Sequence, residues 1–305
     1  LWWLMFLAVP GLFSSHSSFN EKFRRPIEAG RSPDLLNLLH SLIAPFVLRR
    51  TKEEVAPELP ERVETLLPVP LGRKQRQIYD RYLTRERARL LHLELENDTR
   101  ERFEVLAALT RLRQLSLDPA LVDQRYDSVG SAKIDLLCEH LEQILPLGHK
   151  VLVFSQFVAF LERIRHSLEQ RGIASLLLEG KTRNRHAVID EFQHGDVQVF
   201  LISLKAGGVG LTLTQADYVY MMDPWWNPSV EAQAVNRAHR IGQDRRVNVY
   251  RLVAQDTIEE KVCELQAHKQ LLVDSVVGQN LGEGRSSADI QQLLKLIQED
   301  QDERV

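Results

Sequence analysis

From Ser131 onward, short apolar runs alternate with amphipathic stretches, and this alternation constrains the fold more than any other feature. The runs Val151–Phe154, Ser175–Leu178, Val197–Ile202, Tyr218–Met222 and Val247–Leu252 have strand length and are rich in Val, Leu, Ile and aromatic residues. Ile134–Leu145 precedes the first of them, and Phe160–Gln170, Arg185–Phe192 and Asn227–Ile241 separate others, all with helical length and spacing. Strands apolar on both faces belong to a parallel sheet covered by helices on both sides. Right-handed crossovers then gather the loops that follow the strands along one edge, where such sheets bind ligands. An α/β fold is expected, preceded by a mostly helical segment.

Gln233-Ala-Val-Asn-Arg237-Ala-His-Arg240-Ile-Gly-Gln243 is the densest cluster of chemistry in the chain. Asn227 and Pro228 suit a helix start and Gly242 a stop. On one helix, Gln233, Arg237 and Arg240 fall at i, i+4 and i+7 and share a face. Val230, Ala234, Val235, Ala238 and Ile241 take the other. Two guanidiniums on a rigid face suit an anion with several oxygens, and a merely solvated basic face has the same pattern.

Three more loops follow apolar runs. Ser155-Gln156-Phe157 offers backbone amides to a phosphate. Ser203-Leu-Lys205-Ala-Gly207-Gly208-Val-Gly210-Leu-Thr212 is glycine-rich, so its backbone can approach a ligand closely. Gly180-Lys181-Thr182 imitates a P-loop, but the position that needs glycine, four intervening residues before Gly180-Lys181, is Ser175, and the intervening residues are strand-like. It is not expected to cradle ATP.

Taken together, these segments resemble the motifs of the Swi/Snf-type DNA-dependent ATPases of helicase superfamily two. Gln233 to Gln243 resembles motif VI, Ser203 to Thr214 motif V, and Lys150 to Phe157 motif IV. The resemblance implies a RecA-like lobe. It implies that Arg240 and Arg237 act on the γ-phosphate of ATP as arginine fingers, supported by Gln233, Gly208 and Gly210. It further implies duplex-DNA contacts at Ser155, Gln156, Lys181, Thr182, Arg185, Lys205, Thr212 and Trp226, although adjacent Trp225 and Trp226 equally suit packing.

The first 130 residues extend the resemblance. Phe23-Arg24-Arg25-Pro26-Ile27 and Phe46-Val-Leu-Arg49-Arg50 resemble the end of the family's first lobe, with Arg49 and Arg50 either serving an interlobe surface or bridging a connector. Pro57, Pro60, Pro68 and Pro70 read as that connector. Charges of alternating sign from Arg85 to Arg102 read as a solvated helix, and Leu106, Leu109, Leu112 and Leu115 as its apolar stripe. Leu112-Arg113-Gln114 with Asp118-Pro119 resembles a landmark leading into the second lobe. The expected division is 1–70 for the end of the first lobe and connector, 71–130 for a helical linker, 131–256 for the second lobe, and 257–305 for a brace helix and tail. Thr257 to Glu260 reads as a capping box opening that brace.

Leu1–Phe13 is apolar but shorter than the ~20 residues of a membrane span and lacks the flanks of a signal peptide, so no membrane partner is expected. It reads as a helix of a larger domain that leaves Trp2, Trp3 and Phe6 exposed, and an opening Leu reads as a fragment. Net charge −3 excludes a uniformly basic nucleic-acid binder, though not a local basic groove. Two distant cysteines form no disulfide framework or zinc site, which fits an intracellular compartment, nucleoid or nuclear, and no metal ligand set is apparent. No Gly-x-x-x-x-Gly-Lys-Ser/Thr or Asp-Glu-x-His occurs. Mg²⁺ and the phosphate cradle are therefore expected in a first lobe outside this chain. The intact protein is expected to translocate on double-stranded DNA, with a protein–DNA complex as target and this chain alone inactive. The short segment between lobes resembles bacterial members. An RNA or strand-separating helicase, a non-catalytic interaction module, and a nucleotide site at Lys181 are the competing readings.

Overall fold

The computed structural model describes residues 1–28, 33–48, 55–56, 58–90, 99–206, 211–225 and 227–266. They fall into two compact units, one containing Leu1–Pro57 and one containing Glu58–Glu264. The units part at Pro57, upstream of the boundary at residue 70 that the prolines suggested.

In the first unit, helices α1 (Trp2–Ala8), α2 (His16–Phe19), α3 (Arg25–Glu28) and α4 (Pro33–Ile43) surround a small core of Trp2, Met5, Phe19, Leu39 and Ile43. Trp2 is buried, contrary to the expectation from sequence, because His16 and Phe6 pack against its ring. Trp3 and Phe6 are exposed as expected. The segment after Ser14 is helical. Ser15 caps it by accepting a hydrogen bond from the Ser18 amide, and Phe13, Phe19 and Phe23 pack together with their rings edge-on or tilted.

The second unit is built on six strands: β1 (Arg62–Val69), β2 (Val151–Ser155), β3 (Ser175–Leu178), β4 (Val199–Ser203), β5 (Tyr218–Met221) and β6 (Val247–Ala254). Their order is β1-β6-β5-β2-β4-β3 and every pairing is parallel. Strand β1, read from sequence as a connector, is the outer strand beside β6, running from Arg62 opposite Val247 to Val69 opposite Ala254. Pro68 obscured it, and an edge strand is where a sheet accommodates proline.

Strand alternation divides the core into two layers. Val151, Val153, Val199, Leu201 and Tyr220 pack under α7 (Ala132–Ile144) and α8 (Val158–Gln170). Leu152, Phe154, Phe200, Ile202, Val219 and Val249 pack under α9 (Arg185–His194) and α10 (Pro228–Val235). The central strands β2, β4 and β5 are buried on both faces, which explains their unbroken apolar sequence. Before this sheet, α5 (Arg73–Leu90) and α6 (Thr99–Leu117) pack together, with Leu109, Leu112 and Leu115 buried as the stripe predicted. Asp118 ends α6 and caps the turn Pro119–Leu121. The following segment is a capped turn in which Asp123 accepts from the Arg125 amide. Thr257 caps the helix beginning at residue 258, its hydroxyl accepting from the Glu259 amide.

Candidate nucleotide and nucleic-acid surfaces

Helix α10 begins as the sequence indicates, with the Asn227 side chain accepting a hydrogen bond from the Ser229 amide and Pro228 at the first position. It ends at Val235, six residues short of the expected Ile241. Tertiary contacts take the carbonyls that a longer helix would need. The Arg237 carbonyl accepts from the Leu213 amide at 2.9 Å, and the Ala238 carbonyl from the Gln243 side-chain amide at 3.2 Å. Gln243 also donates to the Ala216 carbonyl, and the His239 ring nitrogen Nε2 lies 2.8 Å from the Pro60 carbonyl. Gln233, Arg237 and Arg240 therefore do not share one helical face. Ile241, expected to be buried, is 72% exposed for the same reason. Gly242 does adopt positive φ, +99°, within the loop rather than at the helix end.

In this loop Arg237 is 8% exposed, and its Nη1 donates to the Leu211 carbonyl at 3.2 Å while Nε meets no acceptor. Arg240 is exposed, with Nη1 3.5 Å from the Thr212 hydroxyl. Burial, and then the positive charge of Arg240, push the Arg237 guanidinium below its ordinary pKa. Among the described residues no carboxylate forms an ion pair with either arginine. The bonds from this loop to Ala216 and Pro60 place it beside the starts of β5 and β1, and its contacts with Leu211 and Thr212 join it to the connection from β4 to β5, while the loops directly after β2, β3 and β5 leave the opposite ends of those strands.

Those loops lie on the other edge. Ser155 ends β2 and is fully buried, so its hydroxyl is not on the surface that the sequence reading gave it. It accepts from the Phe157 amide. The Gln156 amide points to the Asp223 carboxylate at 3.2 Å, so the amides suggested for a phosphate already have partners. After β3, Lys181 is exposed, whereas Thr182 closes a turn by accepting from the Glu179 amide. Arg185 opens α9, half-buried, behind the Asn184 cap. Lys205 after β4 and Thr212 before β5 are exposed. Gly208, Gly210, Trp226, Arg49 and Arg50 lie outside the described residues. Gln233 is exposed on α10.

Sequence reasoning missed the buried charges beneath this edge. Connections from β2 and β5 leave in opposite directions, so the crevice between these neighbouring strands is the switch point of the sheet. Asp223 occupies it, fully buried. Arg113 of α6 donates to Asp223 at 3.4 Å and to the Pro224 carbonyl at 2.5 Å, with the rings of Phe157 and Trp225 beside its guanidinium. Burial pushes the Asp223 carboxyl up, against the opposing pull of Arg113. Trp225 is thus a packing residue. Its amide donates to the buried Glu231, which also pairs with Arg251. The landmark around Arg113 was visible in the sequence, but nothing there indicated that its partner lay in the loop after β5.

The profile of the SNF2-related domain matches residues 1–121, and that of the helicase conserved C-terminal domain matches residues 132–242. The chain belongs to the Swi/Snf-type helicase family. Among relatives, it is 33% identical to an uncharacterized ATP-dependent helicase of Mycoplasma pneumoniae, over 98% of this chain and 28% of that protein. It is 34% identical to an ISWI chromatin-remodeling complex ATPase of Arabidopsis thaliana, over 91% of this chain and 27% of that protein. The Sulfolobus solfataricus SWI2/SNF2 ATPase core solved with double-stranded DNA superposes with a TM-score of 0.60 at 30% identity, covering 96% of this chain and 63% of that one. The sheet is RecA-like, as Swi/Snf ATPase domains are. The chain spans less than a third of the length of these curated relatives.

Proposed function

We propose that this chain is the second-lobe part of an ATP-driven double-stranded DNA translocase. Arg240 and Arg237 complete the site of an ATP molecule whose phosphates and Mg²⁺ are held by residues outside the chain. The observation that carries this reading is the arginine pair itself. Two adjacent guanidiniums have no carboxylate among the described residues, and the buried Nε of Arg237 has no acceptor. A buried donor without a partner is costly, and a polyphosphate is the ligand whose oxygens and charge would satisfy both cations. Bound there, ATP would supply a γ-phosphoryl group whose transfer to water spreads charge over oxygens that such cations stabilise. Gln156, Lys181, Arg185, Lys205 and Thr212, with Trp226, Gly208 and Gly210, make up the proposed tracking and coupling residues.

The test is ATP hydrolysis by the full-length protein with duplex DNA, single strands or RNA. Arg240→Ala should lower kcat by about 10³-fold or more, and duplex should stimulate more than the other nucleic acids. This chain alone, which has no P-loop sequence, should turn over no ATP. Undiminished turnover in Arg240→Ala would leave the chain as a non-catalytic interaction module.

A further inference from the structure

Helix α5 carries seven basic residues against two acidic ones, and the structure sorts these charges. Its acids are Asp80 and Glu86. Glu86 is buried, both oxygens held by Arg111 at 2.8 and 2.9 Å. Asp80 pairs with Arg76 on one flank. Gln75, Ile78, Tyr79, Glu86 and Leu90 face inward and fix the rotation of the helix. Lys74, Arg81 and Arg85, at i, i+7 and i+11, then share the opposite flank. All three are exposed, and among the described residues none forms an ion pair with a carboxylate.

We propose that this flank of α5 is a second contact for the phosphate backbone of duplex DNA, an inference that rests on the translocase reading above. Lys74 to Arg85 spans roughly 16 Å of helix, and duplex DNA presents one charge per ~1.7 Å of axis, so three cations at this spacing meet separate phosphates. The flank starts where DNA is proposed to run. Helix α5 follows the end of β1, and Arg76 donates to the carbonyls of Gln255 and Asp256 just beyond β6, on the sheet edge that carries Lys181 and Lys205. A face serving only solubility gains nothing from placing Arg81 and Arg85 one turn apart, because like charges at i, i+4 repel. In a chain of net charge −3, this stripe is a local departure.

The experiment compares the full-length protein with a variant combining Lys74→Gln, Arg81→Gln and Arg85→Gln, titrating a labelled duplex over a range of salt. Three lost phosphate contacts should weaken binding about 10-fold or more and flatten the slope of log K against log salt by about 2–3, with the melting temperature unchanged. An unchanged affinity and slope overturns the proposal. So does a variant that keeps duplex binding but loses affinity for polyglutamate, which would assign the flank to an acidic protein. Absence of duplex-stimulated hydrolysis in the unaltered protein would instead remove the translocase reading, so the two failures are distinct.

Discussion

The Lys133 ammonium lies 2.6 Å from the Glu259 carboxylate oxygen Oε2, and both side chains are completely buried. Lys133 also donates to the carbonyls of Met222 and Leu252, and the same Glu259 oxygen accepts from the Ala254 amide. One ion pair therefore ties the first turn of α7 to the ends of β5 and β6 and to the helix beginning at residue 258. It sits directly beneath the edge that carries Asp223 and the strand-end loops. Burial raises the Glu259 carboxyl, and the attraction of Lys133 opposes that rise.

Removing one partner leaves a buried charge without compensation. Glu259→Gln is predicted to cost about 3–5 kcal/mol. Replacing both partners, as Lys133→Met with Glu259→Leu, should cost much less than the sum of the two single changes. Urea unfolding of the native protein, Glu259→Gln, the single variants Lys133→Met and Glu259→Leu, and the double variant measures this. Additive costs in the double variant would mean that the two groups do not act as a pair.

Cys263 links stability to alkaline pH. Burial, and then the charge of Glu259, push its thiol up to about 11. In the unfolded chain the thiol loses its proton near its ordinary value of about 8.5–9. Between these values the folded state binds more protons, so the contribution is fully present below about pH 8.5 and falls as pH rises toward 11. The loss totals about 3 kcal/mol. Comparing urea midpoints of the native protein and Cys263→Ala at pH 8 and pH 10.5 isolates the effect. Parallel pH dependence in the two would refute it.

The sheet was legible because its central strands β2, β4 and β5 are buried on both faces, and burial on both faces writes an unbroken apolar run. Strand β1 was not, since an edge strand tolerates Pro68 and shows half-exposed alternation, which reads as connector. At the arginine segment, local spacing favoured a helix to Ile241. The contacts that stop it at Val235 come from Leu213, Ala216 and Pro60, distant in sequence. The same limit hid the Arg113–Asp223 pair. In both places the decisive orientation was set by a carbonyl or carboxylate remote in sequence, which local spacing does not report.

Gln243 is the residue on which the shape of the arginine loop depends most directly. Its buried side-chain amide donates to the carbonyls of Ala216 and Ala238, while its oxygen accepts from the Arg245 amide. Gln243→Glu keeps the shape and the acceptor but removes both donors, placing a carboxylate against two carbonyls. Each buried acceptor left unpaired costs about 1–3 kcal/mol, so a loss of about 2–5 kcal/mol is predicted. Gln243→Ala removes the same donors without adding charge and should cost less. If the loop also sets the arginines for polyphosphate, Gln243→Ala in the full-length protein should raise KM for ATP at temperatures where the fold persists, and calorimetry would confirm that it does. A variant that melts lower but retains both KM and kcat would confine Gln243 to stability, because a loosened loop would then still deliver Arg237 and Arg240 correctly.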